Sequence, residues 1–251
     1  MHWLVETPEQ VAKVHKLKKT IVGSCNKCNG TGIDKTGEQC GCMHEFRRLT
    51  YYLMGNLPEI TWDKDLASFA ERGGDKKAIK YTESFINHLD KFIKNGIGPL
   101  FYGDYGTGKT TLACIIGKEA INAGKSVWFY TMAEFVDDIV KNQSGYTQRD
   151  IASLRAEKSE ILILDDFGRE NPNQKSGLQS EIRTKMDKIL RIRADQRLVT
   201  IGSTNLDIKK TANLYGQSIF SILQASMKFI EVKGSDLRQK VADTIWDKII
   251  E

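Results

Sequence analysis

Residues 103–110 of the chain read Gly103-Asp104-Tyr105-Gly106-Thr107-Gly108-Lys109-Thr110, which is the spacing of a phosphate-binding loop. An apolar run at residues 99–102 precedes the loop, and an apolar helix pattern that starts at Thr111 follows it. Glycines let backbone N–H groups wrap around an anion, and the N-terminus of the following helix adds favourable electrostatics. We expect Lys109 to reach the β- and γ-phosphates and the Thr110 hydroxyl to bind Mg²⁺. The sequence therefore predicts a nucleoside triphosphate site formed by the whole loop and Thr111.

The composition is that of a soluble globular protein. The chain has 251 residues, 40% hydrophobic and 27% charged, with a net charge of +5. This length suits one α/β domain and a small accessory region. No apolar run is long enough to span a bilayer, and the first residues lack the pattern of a secretory signal. We therefore expect a cytoplasmic protein with no membrane partner.

Helix and strand patterns divide the chain into three parts. We predict an N-terminal module at residues 1–60, a connector at 61–78 and an α/β domain at 79–251. The predicted helices of the module cover about residues 7–19 and 45–54. The strands predicted in the domain are 99–102, 126–131, 160–164 and 198–203, and its helices are 78–94, 109–122, 133–141, 151–158, 177–194, 214–226 and 235–250. Alternating strands and helices indicate a parallel sheet covered by helices on both faces.

Two carboxylates follow the most apolar predicted strand. Residues 161–164 are all aliphatic, and Asp165 and Asp166 come directly after them. The carboxyl ends of parallel strands are where such sheets bind ligands. We expect Asp165 to hold Mg²⁺ through water and Asp166 to orient or deprotonate the attacking water. The alternative is an Asp-rich turn capped by Gly168.

The strand predicted at 198–203 also ends in polar residues, Thr204 and Asn205. An amide at a strand end can hold the attacking water near the γ-phosphate. The alternative is that Asn205 only caps the turn that follows the strand.

Four motifs together resemble those of the DnaC/IstB-like AAA+ ATPases, over about residues 57–240. They are residues 103–110, Ile-Leu-Asp-Asp-Phe-Gly at 163–168, Ser-Thr-Asn at 203–205 and Gly-Ser-Asp-Leu-Arg at 234–238. That family includes the bacterial and phage loaders of the replicative helicase. The resemblance implies a P-loop NTPase with a RecA-like AAA+ core that binds ATP and Mg²⁺. The roles it implies are Walker A for Lys109 and Thr110, Walker B for Asp165 and Asp166, sensor 1 for Asn205 and sensor 2 for Arg238.

One position departs from the family pattern. The family usually has Ser-Arg-Leu in the helix before the last motif, where the arginine acts on the ATP of a neighbouring subunit. Here the stretch is Ser221-Ile222-Leu223. An arginine finger accelerates hydrolysis by several orders of magnitude in other nucleotide hydrolases. Either another basic residue such as Lys228 replaces it, or this ATPase is slow or needs a partner. The missing arginine also argues against a self-assembled ring or spiral, and the alternative is self-association on the helicase.

Four cysteines lie close together in the N-terminal module as two pairs, Cys25-x2-Cys28 and Cys40-x-Cys42. Two close pairs can supply four thiolates to a structural Zn²⁺, whereas a disulfide is disfavoured in a reducing cytosol. Because the second spacing is tight, His44 is an alternative ligand. Residues 25–32 also resemble one zinc repeat of DnaJ-type chaperones. The fifth cysteine, Cys114, is expected to be a buried apolar residue.

A zinc module before an AAA+ core resembles the Gram-positive type of helicase loader, whose N-terminal part binds the helicase. We therefore expect an ATP-dependent loader of the hexameric replicative helicase onto single-stranded DNA. The alternatives are an IstB-like transposase-assisting ATPase on duplex DNA and a slowly hydrolysing, nucleotide-switched interaction protein. The candidates for DNA contact are Arg149, Arg155 and Lys158, although a solvated helix face explains these charges as well.

Overall fold

The computed structural model describes residues 8–138, 154–168, 176–238 and Trp246. Its centre is a parallel sheet of five strands in the order β2-β3-β4-β1-β5. The strands are β1 Gly98–Tyr102, β2 Val127–Thr131, β3 Ile161–Phe167, β4 Val199–Thr204 and β5 Met227–Glu231. The parallel sheet predicted from the alternation of elements is thus confirmed. None of the helices that the structure describes is long and apolar enough to span a bilayer.

The helices of the described ranges include α1 Pro8–Lys18, α2 Gly41–Met54, α3 Leu66–Glu71, α4 Lys76–Asn87, α5 Leu89–Asn95, α6 Lys109–Asn122, α7 Met132–Val136, α8 Ser176–Asp195 and α9 Ile208–Ser226. A π-helix at Lys19–Gly23 extends α1, a 3-10 turn occupies Glu59–Thr61, and residues 154–158 are also helical.

Helices cover both faces of the sheet. Since successive residues of a strand point to opposite faces, each strand supplies apolar side chains to both helical layers. On one face, Phe129, Ile163 and Ile201 pack with α6 and with apolar residues of α4 and α5. On the other face, Tyr130, Leu164 and neighbouring residues pack with α7, α8 and α9. The strands buried on both faces are continuous apolar runs, as expected for a parallel sheet between two helical layers.

Several predicted elements need correction. The helix predicted at 78–94 is two helices, α4 and α5, because the backbone of His88 leaves the helical region. Helix α3 lies inside the predicted connector, where Asp65 and Ser68 form a capping box. Strand β5 was not predicted, and α9 starts at Ile208 instead of near residue 214 because the Asp207 carboxylate caps it. Most of the helix predicted at 235–250, and parts of those at 133–141 and 151–158, lie outside the described residues.

The N-terminal module packs continuously onto the sheet domain through the end of α2. Tyr52 is buried, and its hydroxyl donates to Asn122 Oδ1 at the end of α6 over 3.0 Å. The Phe129 N–H on β2 donates to Gly55 O over 2.9 Å, and Asn56 Nδ2 donates back to Phe129 O over 3.0 Å. Helix α2 therefore joins the cysteine-rich segment to the core, while the division of the chain into a separate module at residues 1–60, a connector and a domain stays a prediction.

Candidate nucleotide and zinc sites

The phosphate-binding loop connects β1 to α6 as the sequence predicts. Gly108 adopts a left-handed conformation, φ 89°, at the N-cap of α6, and a Cβ there would collide with the Phe69 ring of α3. Lys109 is 5% exposed, and its Nζ donates to Gly103 O over 2.9 Å and to Asp104 O over 2.6 Å. Burial lowers the pKa of Lys109, and the nearby carboxylates of Asp166 and Asp165 partly offset this. The Lys109 ammonium group is thus held by backbone carbonyl groups of the loop itself.

Thr110 and Asp165 meet across the interface between α6 and β3. Thr110 Oγ1 lies 2.9 Å and 3.0 Å from the two carboxylate oxygens of Asp165, which is 5% exposed. Burial raises the pKa of Asp165 and the charge of Asp166 adds to this, whereas hydrogen bonds from Ser203 and Thr110 oppose it. A hydroxyl and a carboxylate beside a phosphate-binding loop are the oxygen ligands that Mg²⁺ takes in such sites, so the residues present fit that ion.

The other predicted active-site residues line the same cleft, whose volume is about 570 Å³. Asp166 and Asn205 come from the ends of β3 and β4, and Arg238 comes from the segment after β5. The Leu237 N–H donates to Gly106 O over 2.9 Å, which ties that segment to the phosphate-binding loop. Thr111 also lines the cleft. The structure brings these residues together, while their individual roles stay predictions.

The remaining loop residues differ in their surroundings. Thr107 is 2% exposed and donates its hydroxyl to Asp104 O, which supports the turn of the loop. The Tyr105 side chain is 63% exposed and points away from the protein core. Loops of this kind bind phosphate through backbone N–H groups and loop shape, and a part for these two residues in a phosphate site stays a prediction.

Sequence reasoning missed one wall of the cleft. Helix α3 and the residues on both sides of it supply that wall, with Thr61, Lys64, Ser68, Phe69 and Arg72. No phosphate-binding motif marks this segment, and only the capping box at Asp65 signalled a helix there. Lys118 of α6 holds the segment in place by donating to the backbone carbonyl oxygens of Trp62 and Lys64.

The position of the missing arginine finger lies away from the cleft. Ile222 is partly buried against the apolar cluster beneath α9, and the Ser226 hydroxyl donates to its carbonyl oxygen over 2.7 Å. Lys228, the suggested replacement, is an exposed residue of β5. Neither residue is among the described residues that line the cleft.

The four cysteines of the N-terminal module form one cluster whose sulfur atoms lie within 4.8 Å of one another. Cys25 Sγ and Cys40 Sγ are 3.8 Å apart, and Cys28 Sγ and Cys42 Sγ are 3.6 Å apart. Tetrahedral Zn²⁺ with bonds of about 2.3 Å places its sulfur ligands about 3.8 Å apart. A disulfide would require about 2.05 Å. The residues therefore fit Zn²⁺ as a four-cysteine site, and His44 is not part of the cluster.

The fifth cysteine and the candidate DNA contacts have different environments. Cys114 is fully buried in α6, and burial raises the pKa of its thiol to about 12, so it is an apolar core residue as expected. Arg155 lies over the Trp128 ring at 4.2 Å from its centroid, and burial lowers its pKa. Lys158 is exposed, and Arg149 lies outside the described residues.

A phosphate-binding loop before α6, a carboxylate pair at the end of β3 and the strand order β2-β3-β4-β1-β5 define a P-loop ATPase of the AAA+ class. The family model described as IstB-like ATP binding protein matches residues 41–240, and the chain belongs to that family.

Relatives and solved structures agree with this class. Replicative helicase loader DnaC of Buchnera aphidicola subsp. Acyrthosiphon pisum is 28% identical over 158 residues, 59% of this chain and 58% of the relative. The chain thus spans little more than half the length of this curated relative. A crystal structure of DnaI is 20% identical with a TM-score of 0.57, covering 72% of this chain and 93% of that one. A crystal structure of the DnaC helicase loader is 19% identical with a TM-score of 0.56, covering 70% and 100%. At these identities the structural likeness shows the fold alone.

Proposed function

We propose that the protein is an ATP-dependent loader that places the replicative DNA helicase on single-stranded DNA. The observation that carries the proposal is the path of α2, which begins in the four-cysteine cluster and ends in hydrogen bonds to α6 and β2. A zinc module joined in this way to the Walker A helix can pass the nucleotide state to a bound partner. The curated relatives, which are named replicative helicase loaders, support the same function.

In the proposed site each residue has one task. Lys109 and the loop N–H groups bind the β- and γ-phosphates, and Thr110 and Asp165 hold Mg²⁺. The chemistry that Mg²⁺ supplies when bound is neutralisation of charge on those phosphates. Asp166 and Asn205 orient the attacking water, and Arg238 contacts the phosphates from the segment after β5. The zinc module and Zn²⁺ form the surface that binds the helicase, and Lys158 contacts single-stranded DNA.

Turnover is expected to be slow in the isolated protein, because Ile222 offers no charge at the position from which the family's arginine acts on the ATP of a neighbouring subunit. This observation favours a second candidate function, a nucleotide-switched interaction protein that hydrolyses ATP only with its partners. The family match keeps a third candidate, a transposase-assisting ATPase on duplex DNA.

The test is a pull-down from host lysate with the full-length chain, with and without a zinc chelator. The matched variants are Cys25→Ser/Cys28→Ser, which breaks the cluster, and Cys114→Ser, which removes a thiol elsewhere. We expect the replicative helicase to be captured by the wild type and by Cys114→Ser, and to be lost with the chelator or the double variant. Capture of a transposase instead, or of the helicase regardless of zinc, contradicts the loader assignment.

The role of ATP is tested by measuring ATP turnover with added helicase and single-stranded DNA. We expect turnover to rise when both partners are present and to disappear in Lys109→Ala. Stimulation by duplex DNA alone would favour the transposase-assisting function. If Lys109→Ala loads helicase as well as the wild type, ATP does not control the loading.

A further inference from the structure

The two carboxylates at the end of β3 lie in a β-bulge. Leu164 of β3 pairs with Gly202 of β4, and Phe167 pairs with Thr204, so Asp165 and Asp166 together face the single residue Ser203. A bulge of this kind interrupts the backbone ladder and changes the direction of the side chains on the bulged strand. Asp166 has φ 61°, a left-handed conformation that is uncommon outside glycine, although aspartate adopts it more readily than most residues.

The Ser203 hydroxyl makes the contacts that the interrupted ladder cannot make. It accepts the Asp166 N–H over 3.1 Å and donates its own hydrogen to Asp165 Oδ1. Ser203 is 1% exposed, so water does not provide these hydrogen bonds in its place. One residue further along, the Thr204 hydroxyl donates to Phe167 O over 2.8 Å. Two hydroxyls of β4 therefore contact the bulged strand, and of these two only that of Ser203 contacts both acidic residues.

We propose that Ser203 is a positioning residue of the nucleotide site, whose hydroxyl fixes the bulge so that Asp165 faces Thr110 and Asp166 faces the cleft. The inference rests on the proposed function, since it concerns how Asp165 and Asp166 meet a Mg²⁺–nucleotide. Ser203 contacts neither ion nor nucleotide in this role. It acts through the Asp165 carboxylate, whose other oxygen contacts are to Thr110, and through the backbone of Asp166.

The direct test compares nucleotide affinity with and without Mg²⁺ in the full-length chain. The probe is a fluorescent, non-hydrolysable ATP analogue, titrated in MgCl₂ and in EDTA. Ser203→Ala should leave the nucleotide affinity in EDTA unchanged. The factor by which Mg²⁺ raises the affinity, called here the Mg²⁺ gain, should be about tenfold smaller than in the wild type, which is the effect of one hydrogen bond to a charged group. Thr200→Val is the matched control, since Thr200 is a buried hydroxyl of the same strand, 3% exposed, that contacts Arg193 instead of the cleft. It should keep the Mg²⁺ gain.

Two further measurements separate positioning from general destabilisation. Ser203→Ala combined with Asp165→Asn should lose no more Mg²⁺ gain than Asp165→Asn alone, because residues that act as a unit are not additive. In the nucleotide-free protein, amide hydrogen exchange at Asp166 should be faster in Ser203→Ala than in Thr200→Val. Ser203→Cys keeps the shape with a weaker donor. It should lose several-fold of the Mg²⁺ gain and serves as the test variant if Ser203→Ala does not fold.

The outcomes are distinct. If Mg²⁺ raises the nucleotide affinity of Ser203→Ala as much as that of the wild type, the positioning role is overturned. It is also overturned if Ser203→Ala loses the same amount of affinity in MgCl₂ and in EDTA. A wild-type protein that does not bind the analogue at all overturns the proposed function instead.

Discussion

Replacement of Arg193 by lysine is expected to destabilise the protein strongly, although it conserves the charge. Arg193 lies on α8 and is 0% exposed. Its guanidinium donates to Thr200 Oγ1 over 3.0 Å, to Ala156 O over 2.8 Å and to Ser159 O over 2.9 Å, and it also donates to Val199 O. None of these partners is a carboxylate. The buried guanidinium is therefore satisfied by neutral acceptors that match its planar set of N–H donors, and not by an ion pair with one of these partners. Burial correspondingly lowers the pKa of Arg193.

The magnitude follows from the number of acceptors. A lysine ammonium is a single point that cannot reach acceptors on residues 156–159 and on β4 at the same time. At least two hydrogen bonds to a charged group are lost, each about 1.5 kcal/mol at the low end, which gives about 3 kcal/mol. For a chain of this size that corresponds to a fall in Tm of about 6 to 12 °C.

The assay is thermal unfolding followed by circular dichroism, with Arg191→Lys as the control. Arg191 lies on the same helix, its side chain is 54% exposed, and it pairs with Asp187. Because exposed ion pairs contribute little, Arg191→Lys should change the free energy of unfolding by less than about 0.5 kcal/mol. If Arg193→Lys lowers Tm no more than Arg191→Lys does, the hydrogen bonds of the Arg193 guanidinium do not contribute the stability given above.

Three other substitutions are expected to have opposite or selective effects. Thr82→Val should stabilise the protein by about 1 kcal/mol in a denaturant titration, because the buried Thr82 hydroxyl has no hydrogen-bond partner among the described residues. A destabilised variant would show that the hydroxyl has one. Gly108→Ala should abolish binding of the fluorescent ATP analogue, since the new Cβ requires a strained φ and displaces the Phe69 ring, and unchanged affinity would contradict this. Asp75→Ala should cost about 1 kcal/mol at neutral pH, because the carboxylate caps α4 and accepts the Lys233 N–H. Burial raises the pKa of Asp75, but N–H donation from Lys233 and from the first turn of α4 outweighs it and holds the pKa below its usual value. The Asp75 contribution is therefore complete above pH about 4 and is lost as the pH falls through the lowered pKa. A difference between wild type and Asp75→Ala that stays constant in acid would refute it.

The nucleotide site was largely predictable because its signals are local. The loop at 103–110 has a fixed spacing, and the apolar run before Asp165 identifies a buried strand whose end must lie near the loop. The four cysteines were equally visible, since sequence proximity already brings their sulfur atoms within reach of one ion. In each case a short stretch of chain contains the chemistry.

The missed features depend on contacts between distant segments. Strand β5 is short and only partly buried, so its pattern competes poorly with that of the preceding helix. Phe69 lines the cleft because Lys118 holds the segment before α3 and because Gly108, which has no Cβ, lets the Phe69 ring approach the loop. No local sequence pattern encodes these contacts. Ser203 belongs to the Ser-Thr-Asn motif at 203–205, but the role of its hydroxyl depends on a bulge in β3 that appears only when the two strands are paired.

The position of α2 links the two sites physically. The helix begins at Gly41, between two cysteines of the cluster, and the residues at its end share hydrogen bonds with α6 and β2. Helix α6 begins with Lys109, so the four-cysteine cluster and the phosphate-binding loop lie at the ends of two helices that contact each other through Tyr52 and Asn122. Any rotation of α2 on a change at the cluster or on binding of a partner must therefore break the hydrogen bond to Asn122 or move α6 with it. The isolated substitution Tyr52→Phe removes that hydrogen bond and leaves both sites chemically intact. It should therefore reduce the effect of the partner on ATP turnover, while zinc content and nucleotide affinity stay at their wild-type values. If the turnover of Tyr52→Phe responds to the partner as that of the wild type does, the coupling does not pass through this contact.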